Sequence, residues 1–308
     1  VVLDGANGNE ERDILRAIRN LTAGGSTNGQ SGLETAYRLA EKNYIQGGNN
    51  RIIMASDGDL NVGITSASDL HDYVSDKRQS GIYLSVLGFG EGNYKDNKME
   101  TLADHGNGNY HYIDCLAEAE KVLGEDLTAT LLTKADDVKL QIEFNPAYVK
   151  GYRQIGYENR QLATADFRDD TKDAGEVGAG HQVTVVYELV PTDSAMELEG
   201  AELKYQDNGS LSKAADNGEW LTLSVRYKNP GAAESRLLDY AVGEAEVTDH
   251  PGDDWRFVSA MAELSMVIRD SEYRGDATLG SVLTILDSIE LNDPYRREFR
   301  ELVALLDE

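Results

Sequence analysis

The sequence predicts a three-layer α/β fold in its first part, a β-rich region after it and helices at the end. Three observations predict this. Apolar runs at Ile52–Ala55 and Ile82–Phe89, flanked by turn formers, read as strands covered on both faces of a parallel sheet. Between them lie segments with helical spacing of apolar residues, and strand–helix alternation at this spacing implies right-handed crossovers. From Lys134 the period changes to two, as Val138, Leu140, Ile142 and Phe144 alternate with polar residues.

Val1 to Leu3 reads as the tail of a strand already under way. With neither an initiator Met nor a signal peptide ahead of it, the chain is expected to be an N-terminally truncated fragment of a longer protein. Glu10–Leu21 carries Ile14, Leu15, Ile18 and Leu21 at helical spacing and is expected to lead back to the sheet. Gly24–Gly32 is a loop by composition. A second helix follows, with Leu33, Ala36, Tyr37, Ala40 and Tyr44 on its apolar face, and the run from Gly47 to Asn50 breaks it. The strand within Arg51–Asp59, RIIMASDGD, comes next and ends at Asp57 and Gly58.

Ser68 is the expected N-cap of a helix to about Gln79 that uses Leu70, Tyr73 and Val74, with Gly81 in the C′ position. Asn97–Asp104 forms a short helix on Met99 and Leu102, Tyr110–Ile113 a short strand, and Leu116 to Leu132 a further helix. The β-rich region recurs at His181–Val190 and Leu221–Tyr227, with a turn cluster at Asp207, Asn208 and Gly209. It is expected to be a sandwich-like antiparallel module covered on one face. Asp166–Gly180 is polar apart from Phe167, Ala174 and Val177 and reads as a surface loop. The tail repeats helical spacing at Phe257, Met261, Leu264 and Ile268 and again at Leu279, Val282, Leu283 and Leu286; Asp293 and Pro294 start a third helix. The expected divisions are 1–134 (α/β), 135–230 (β-rich) and 231–308 (helical).

At 308 residues and 40% hydrophobic content the chain buries a sizeable core, and its length favours more than one domain. The net charge of −26, spread over both halves, argues against nucleic acid and anionic membrane as partners. An acidic ligand would need a cation as mediator. No apolar stretch approaches the roughly 20 residues of a membrane-spanning helix. The single cysteine, Cys115, is expected to pack as a small apolar residue. His71, His105, His111 and His181 lack metal-ligand spacing, and Gly88, Gly90 and Gly92 read as a strand-end turn, not as a phosphate loop. Tyr148, Tyr152 and Tyr157 are either an aromatic contact surface or ordinary strand tyrosines.

The candidate site is built on Asp57. A carboxylate at the carboxyl end of a parallel strand stands where open α/β sheets bind ligands, although a turn-forming Asp before Gly58 explains it equally. Thr27, in the Gly24–Asn28 loop that precedes a helix, would face the same crevice. A hydroxyl and a carboxylate suit Mg²⁺, which keeps several waters and takes few protein oxygens.

The ordered set AGGSTNGQSGLETAY, RIIMASDGDLNVG, GIYLSVLGFGEG and GNGNYHYID resembles the von Willebrand factor type A domain, in particular bacterial members with a C-terminal extension of uncharacterised function. The resemblance implies a Rossmann-like fold and a metal-ion-dependent adhesion site, in which a ligand protein supplies an Asp or Glu carboxylate to Mg²⁺ or Mn²⁺. It maps a metal-ligating Thr onto Thr27 and the Asp onto Asp57, with Gly58 as the small residue after the acid. Ser26, Asn28 and Asp59 are the surrounding loop groups. The family's D-x-S-x-S loop has no counterpart here, which implies weak or absent metal binding in this chain and an exposed Ile52 strand edge open to self-association. The resemblance points to the cell envelope or periplasm. Two other functions are carried: a scaffold with no working metal site, and an Mg²⁺-dependent phosphotransferase with Asp57 as nucleophile and Asp59 as general acid. The second lacks the later Lys and paired acids that such a site needs.

Overall fold

The structure is a computed structural model that describes residues 1–22, 28–57, 67–90, 96–126, 132–172, 174–198 and 211–307. It divides into two compact units, the first comprising Val1–Lys139, Asp169–Gln182 and Arg226–Leu237, the second comprising Leu140–Arg168, Val183–Val225 and Leu238–Glu308.

In the first unit the elements run α1 (Glu11–Arg19), α2 (Gly29–Lys42), β1 (Asn50–Ser56), α3 (Ala67–Arg78), β2 (Ile82–Phe89), α4 (Asp96–His105), β3 (Tyr110–Ile113) and α5 (Leu116–Glu120). The three strands form a parallel sheet in the order β1-β2-β3, with Ile52 opposite Leu84 and Val86 opposite Tyr110. Strand alternation divides β2 between two cores. Ile82, Leu84 and Val86 join Leu33 and Tyr37 of α2, Val74 of α3, and Met99 and Leu102 of α4 on one face. Leu87 joins Ile113 and Val122 on the other. Each fully buried Leu or Val contributes about 1.5–3 kcal/mol, so these clusters hold the sheet between its helical layers.

Close contact between the α4–β3 connection and β2 depends on glycine. A Cβ at Gly108 would lie 1.9 Å from the Leu84 carbonyl oxygen, and one at Gly106 would lie 2.6 Å from the Leu84 Cβ. That proximity lets Leu84 donate its N–H to the Gly106 carbonyl (2.8 Å) and Val86 to the Asn109 carbonyl (2.9 Å).

The remaining elements are β4 (Thr133–Phe144), β5 (Val149–Ile155), β6 (Gly175–Gly178), β7 (Val186–Pro191), β8 (Glu219–Lys228), β9 (Ser235–Gly243), α6 (Asp253–Ile268), α7 (Leu279–Asp287) and α8 (Pro294–Asp307). A four-stranded sheet has the order β6-β4-β8-β9, and β5 and β7 form an antiparallel ribbon with Tyr152 opposite Leu189.

Within the first unit, register shifts in β4 around Ala135 and Val138 leave Asp137 in the left-handed region, at φ 52°. Its carboxylate is buried beside Lys139, whose Nζ lies 3.1 Å from Oδ1, and Lys228, whose Nζ lies 2.9 Å from Oδ2. Lys139 Nζ also donates to the carbonyls of Asp169 (2.8 Å) and Lys172 (2.5 Å), so its burial is compensated by backbone oxygens.

In the second unit, Ala260 and Leu264 of α6 pack with Val282 and Leu286 of α7 and Val303 of α8. The helix starts are capped as their local sequences dictate. Thr278 Oγ1 accepts from Ser281 N (3.1 Å), and Asp293 Oδ1 accepts from Arg296 N (2.8 Å) ahead of Pro294.

Several expectations are corrected. Val1–Leu3 is not a strand, because it has no ladder partner among the described residues. The helix α1 forms, but Leu15 and Ile18 on its apolar stripe stay exposed, so it does not seat on the sheet. Among the described residues strand β1 is covered on one face only: Ile52 and Met54 pack against the core while Ile53, on the other face, is 44% exposed. Ser68 lies inside α3, which begins at Ala67. The α-helix from Leu116 ends at Glu120 and passes into a π-helical turn, Lys121–Glu125. Part of the expected Asp166–Gly180 loop is strand β6, Phe167 is buried, and the strand expected from His181 begins at Val186. Residues Ser235–Gly243 form β9, and the terminal helices begin at Asp253. Met261 and Ile268 point away from the helical core that Ala260 and Leu264 enter. Cys115 is exposed just before α5 instead of packed. The Asp207–Gly209 turn lies outside the described residues.

Candidate functional site

The candidate site lies at the carboxyl end of β1, at the edge of the parallel sheet. Asp57 follows the last strand residue, Ser56, and is exposed. Beside the edge of β1 runs a groove of about 530 Å³, lined by Asn28, Gly29, Gly32, Leu33 and Ala36 from the start of α2, by Ile52–Asp57, and by Phe89. Strand sequence explains its apolar floor, and the strand-to-loop transition explains why the Asp57 carboxylate stands at the end.

Two backbone features shape that end. The side chain of Asn28 caps α2 by accepting the Ser31 N–H (3.0 Å), which places the helix N-terminus on the groove wall. At the end of β2 the chain turns through Gly90, at φ +98°, where an added Cβ would lie 4.0 Å from that of Asp57. Only glycine takes this conformation at low cost, so the turn brings a second strand end next to Asp57.

Of the predicted site residues, Asp57 and Asn28 line the same groove. Thr27, Ser26, Gly58 and Asp59 lie outside the described residues. Sequence reasoning missed Ser56 and Phe89. Ser56 sits inside the quoted motif directly before the acid, whereas Phe89 is brought in by the neighbouring strand and has no local signal.

The donors that the described residues offer here are a carboxylate, the Ser56 hydroxyl and the Asn28 amide oxygen already engaged in capping. An all-oxygen set of this kind fits a hard cation such as Mg²⁺, with water in most positions. No group of three His, Cys, Asp or Glu side chains suited to a metal occurs among the described residues. No histidine is among the described residues that line the groove; His111 is in β3, where burial pushes its pKa down. Along β1, Arg51 donates to the Ser85 hydroxyl (2.8 Å) and stacks over Tyr83; burial lowers its pKa against the opposing pull of Glu176.

A parallel sheet flanked by helices, with a carboxylate at a strand end beside a helix N-terminus, is the arrangement by which open α/β domains bind ligands. Residues 2–124 match the von Willebrand factor type A domain and residues 129–308 match the C-terminal region of the uncharacterised protein YfbK. The chain belongs to the YfbK C-terminal family, with a von Willebrand factor type A domain ahead of that region. The uncharacterised protein YfbK of Escherichia coli (strain K12) is 41% identical over 309 residues, covering 100% of this chain and 53% of the relative, so the chain spans about half of that relative's length. Among solved structures, a von Willebrand factor type A protein from Catenulispora acidiphila is 13% identical over 92% of this chain and 65% of its own, at a TM-score of 0.41. The human COPII-coat protein Sec24c is 10% identical over 93% of this chain and 39% of its own, at 0.37. Likenesses this distant say nothing about function. In general terms, its type A domain makes the chain a protein-interaction module. No helix among the described residues is long and apolar enough to cross a membrane.

Proposed function

We propose that the chain is a non-catalytic protein-binding module that engages a ligand's Asp or Glu carboxylate through Mg²⁺ or Mn²⁺. Asp57 and Thr27 hold the ion, and Ser26, Asn28, Gly58 and Asp59 shape the loops around it. The observation that carries this reading is the exposed carboxylate of Asp57 at the carboxyl end of a parallel strand, at the head of an open groove. When bound, the ion supplies a positive centre that joins two acidic surfaces. Asp57 contributes a charged oxygen to it, and the capped start of α2 presents its positive dipole end to the same groove.

The experiment is a Mn²⁺ titration followed by electron paramagnetic resonance. This chain is expected to bind more weakly than about 1 mM, on the order of −4 kcal/mol, because the D-x-S-x-S oxygens are missing. A version of the chain extended at its N-terminus by a strand ending in D-x-S-x-S is expected to bind at least about tenfold more tightly and to lose that gain in Asp57→Ala. Binding by the extended version that Asp57→Ala leaves unchanged would overturn the metal reading in favour of a scaffold.

A further inference from the structure

His111 is a titratable group that the candidate site does not use. It stands in β3 two residues before Ile113, so strand alternation sends both side chains to one face, where Ile113 packs with Leu87 and Val122. Residues 116–126, which are α5 and the π-helical turn after it, cover that face through Val122 and Ala119. The ring nitrogen Nε2 of His111 is shielded from solvent and has no hydrogen-bond partner among the described residues. As a bare acceptor it forgoes one bond. Protonated, it becomes a buried cationic donor with nothing to receive it, which costs far more.

The charged groups that act on the ring lie on the cover and just beyond β6. Burial is the largest influence and pushes the pKa below the ordinary 6.5; Asp126 and Glu118 pull it up, while Lys121 and His181 push it further down. Glu118 is already paired with Lys121, at 2.6 Å. The cover itself is weakly held. Helix α5 buries none of its residues, Val122 is the one residue of the turn in the core among those described, and Leu116 and Leu123 are exposed. The turn is closed by the Asp126 N–H, which donates to the Lys121 carbonyl (2.9 Å). A single π turn interrupts the α-helical ladder, and a segment with few buried apolar contacts opens locally at low free energy.

We infer that protonation of His111 releases residues 116–126 from β3 and makes this stretch an acid-sensitive joint. Its position gives the release a consequence: the type A match ends at residue 124 and the C-terminal match begins at residue 129. Closed, the ring stays neutral; open, the imidazolium reaches water. The closed form therefore binds the proton less readily than the open form. Its stability is full above pH 6.5 and declines as pH falls below that value, with the opening constant rising by at most about tenfold per pH unit for one proton.

The test is hydrogen exchange in the 308-residue chain at about pH 7.5 and about pH 5, corrected for the intrinsic rate and read over residues 116–126 and over β2. Protection over 116–126 is expected to fall about fivefold or more at the lower pH, while that of β2 changes by less than about twofold. His111→Gln and His111→Leu, neither of which titrates, are each expected to cut the fall to less than about twofold, and His181→Gln is expected to keep it. Equal protection over 116–126 at both pH values in the native chain would overturn the inference. So would an equal fall in β2, which would mean general acid unfolding, or a fall that survives in the His111 variants or vanishes in His181→Gln. The native chain and two variants of different shape keep the outcome readable if one substitution fails to fold.

Discussion

Gly108 lies where the connection between α4 and β3 passes against β2, and its hydrogen atom is all that separates the two backbones. Gly108→Ala puts a methyl group 1.9 Å from the Leu84 carbonyl oxygen, with the Leu84 carbon and Ser85 nitrogen also within 3 Å. Backbone cannot move aside as a flexible side chain would, so the expected destabilisation is about 3 kcal/mol or more, measured by denaturant unfolding. A loss under about 1 kcal/mol would show that the connection is looser than described. Nothing in the string GNGNY distinguishes this glycine from one in any turn, because its constraint comes from a residue 24 positions away. Asp170 is a second case. The Ser235 hydroxyl and the Arg226 guanidinium hold its carboxyl down at about 2, against an ordinary 3.8. A carboxylate with a depressed folded pKa stabilises above its unfolded pKa, and that contribution disappears as pH falls through about 2. The gap in melting temperature between the native chain and Asp170→Asn is therefore expected at pH 7 and should close between about pH 4 and pH 2. A gap that persists unchanged at pH 2 would assign Asp170 another role.

At the scale of elements, the apolar run Ile52–Ala55 announced a strand, and the strand is there, but the run does not say how many of its faces are covered. Periodicity reports which residues a partner could bury. It does not report whether the partner is present. β1 lies at the sheet edge with Ile53 outward, and α1 carries an apolar stripe that stays in solvent. An edge of this kind is expected to make the chain associate with itself at high concentration. Ile53→Lys places a charge on that edge and should lower the association constant by about tenfold in sedimentation equilibrium, with the fold retained. Equal association in both proteins would move the contact elsewhere. Helix starts were legible in part: Asp293 caps as its sequence indicates, whereas Ser68 lies inside α3. Thr278 and Asp293 cap through bonds to residues only three positions on, so their function is written within one turn of chain. Cys115 illustrates the opposite case: its type predicts burial, and its position ahead of α5 leaves it exposed.

Across the whole molecule, the candidate site was legible as far as it is local. Asp57 follows an apolar run, and the rule that ligands bind at strand carboxyl ends needs only the order of elements. The groove around it was not legible. Phe89 and the first residues of α2 meet β1 through the packing of separate segments, and no periodicity ties them together. The buried group of Asp137, Lys139 and Lys228 went unseen for the same reason. A lysine with fully buried side chain contradicts its residue type, and the Asp137 carboxylate together with the facing carbonyls of Asp169 and Lys172 makes the burial tolerable.

By itself, the sequence determined the α/β character of the first part, the change to β-rich structure near Lys134, the terminal helices and the position of Asp57. These depend on backbone periodicity and on hydrogen bonds within a turn, which act over a few residues. Tertiary structure alone decided that β1 is an edge, that Gly106 and Gly108 admit close backbone contact, and that Lys139 is buried. Each depends on which distant surfaces meet, and the free energy of that contact resides in the area and polar groups that two separate segments remove from water together.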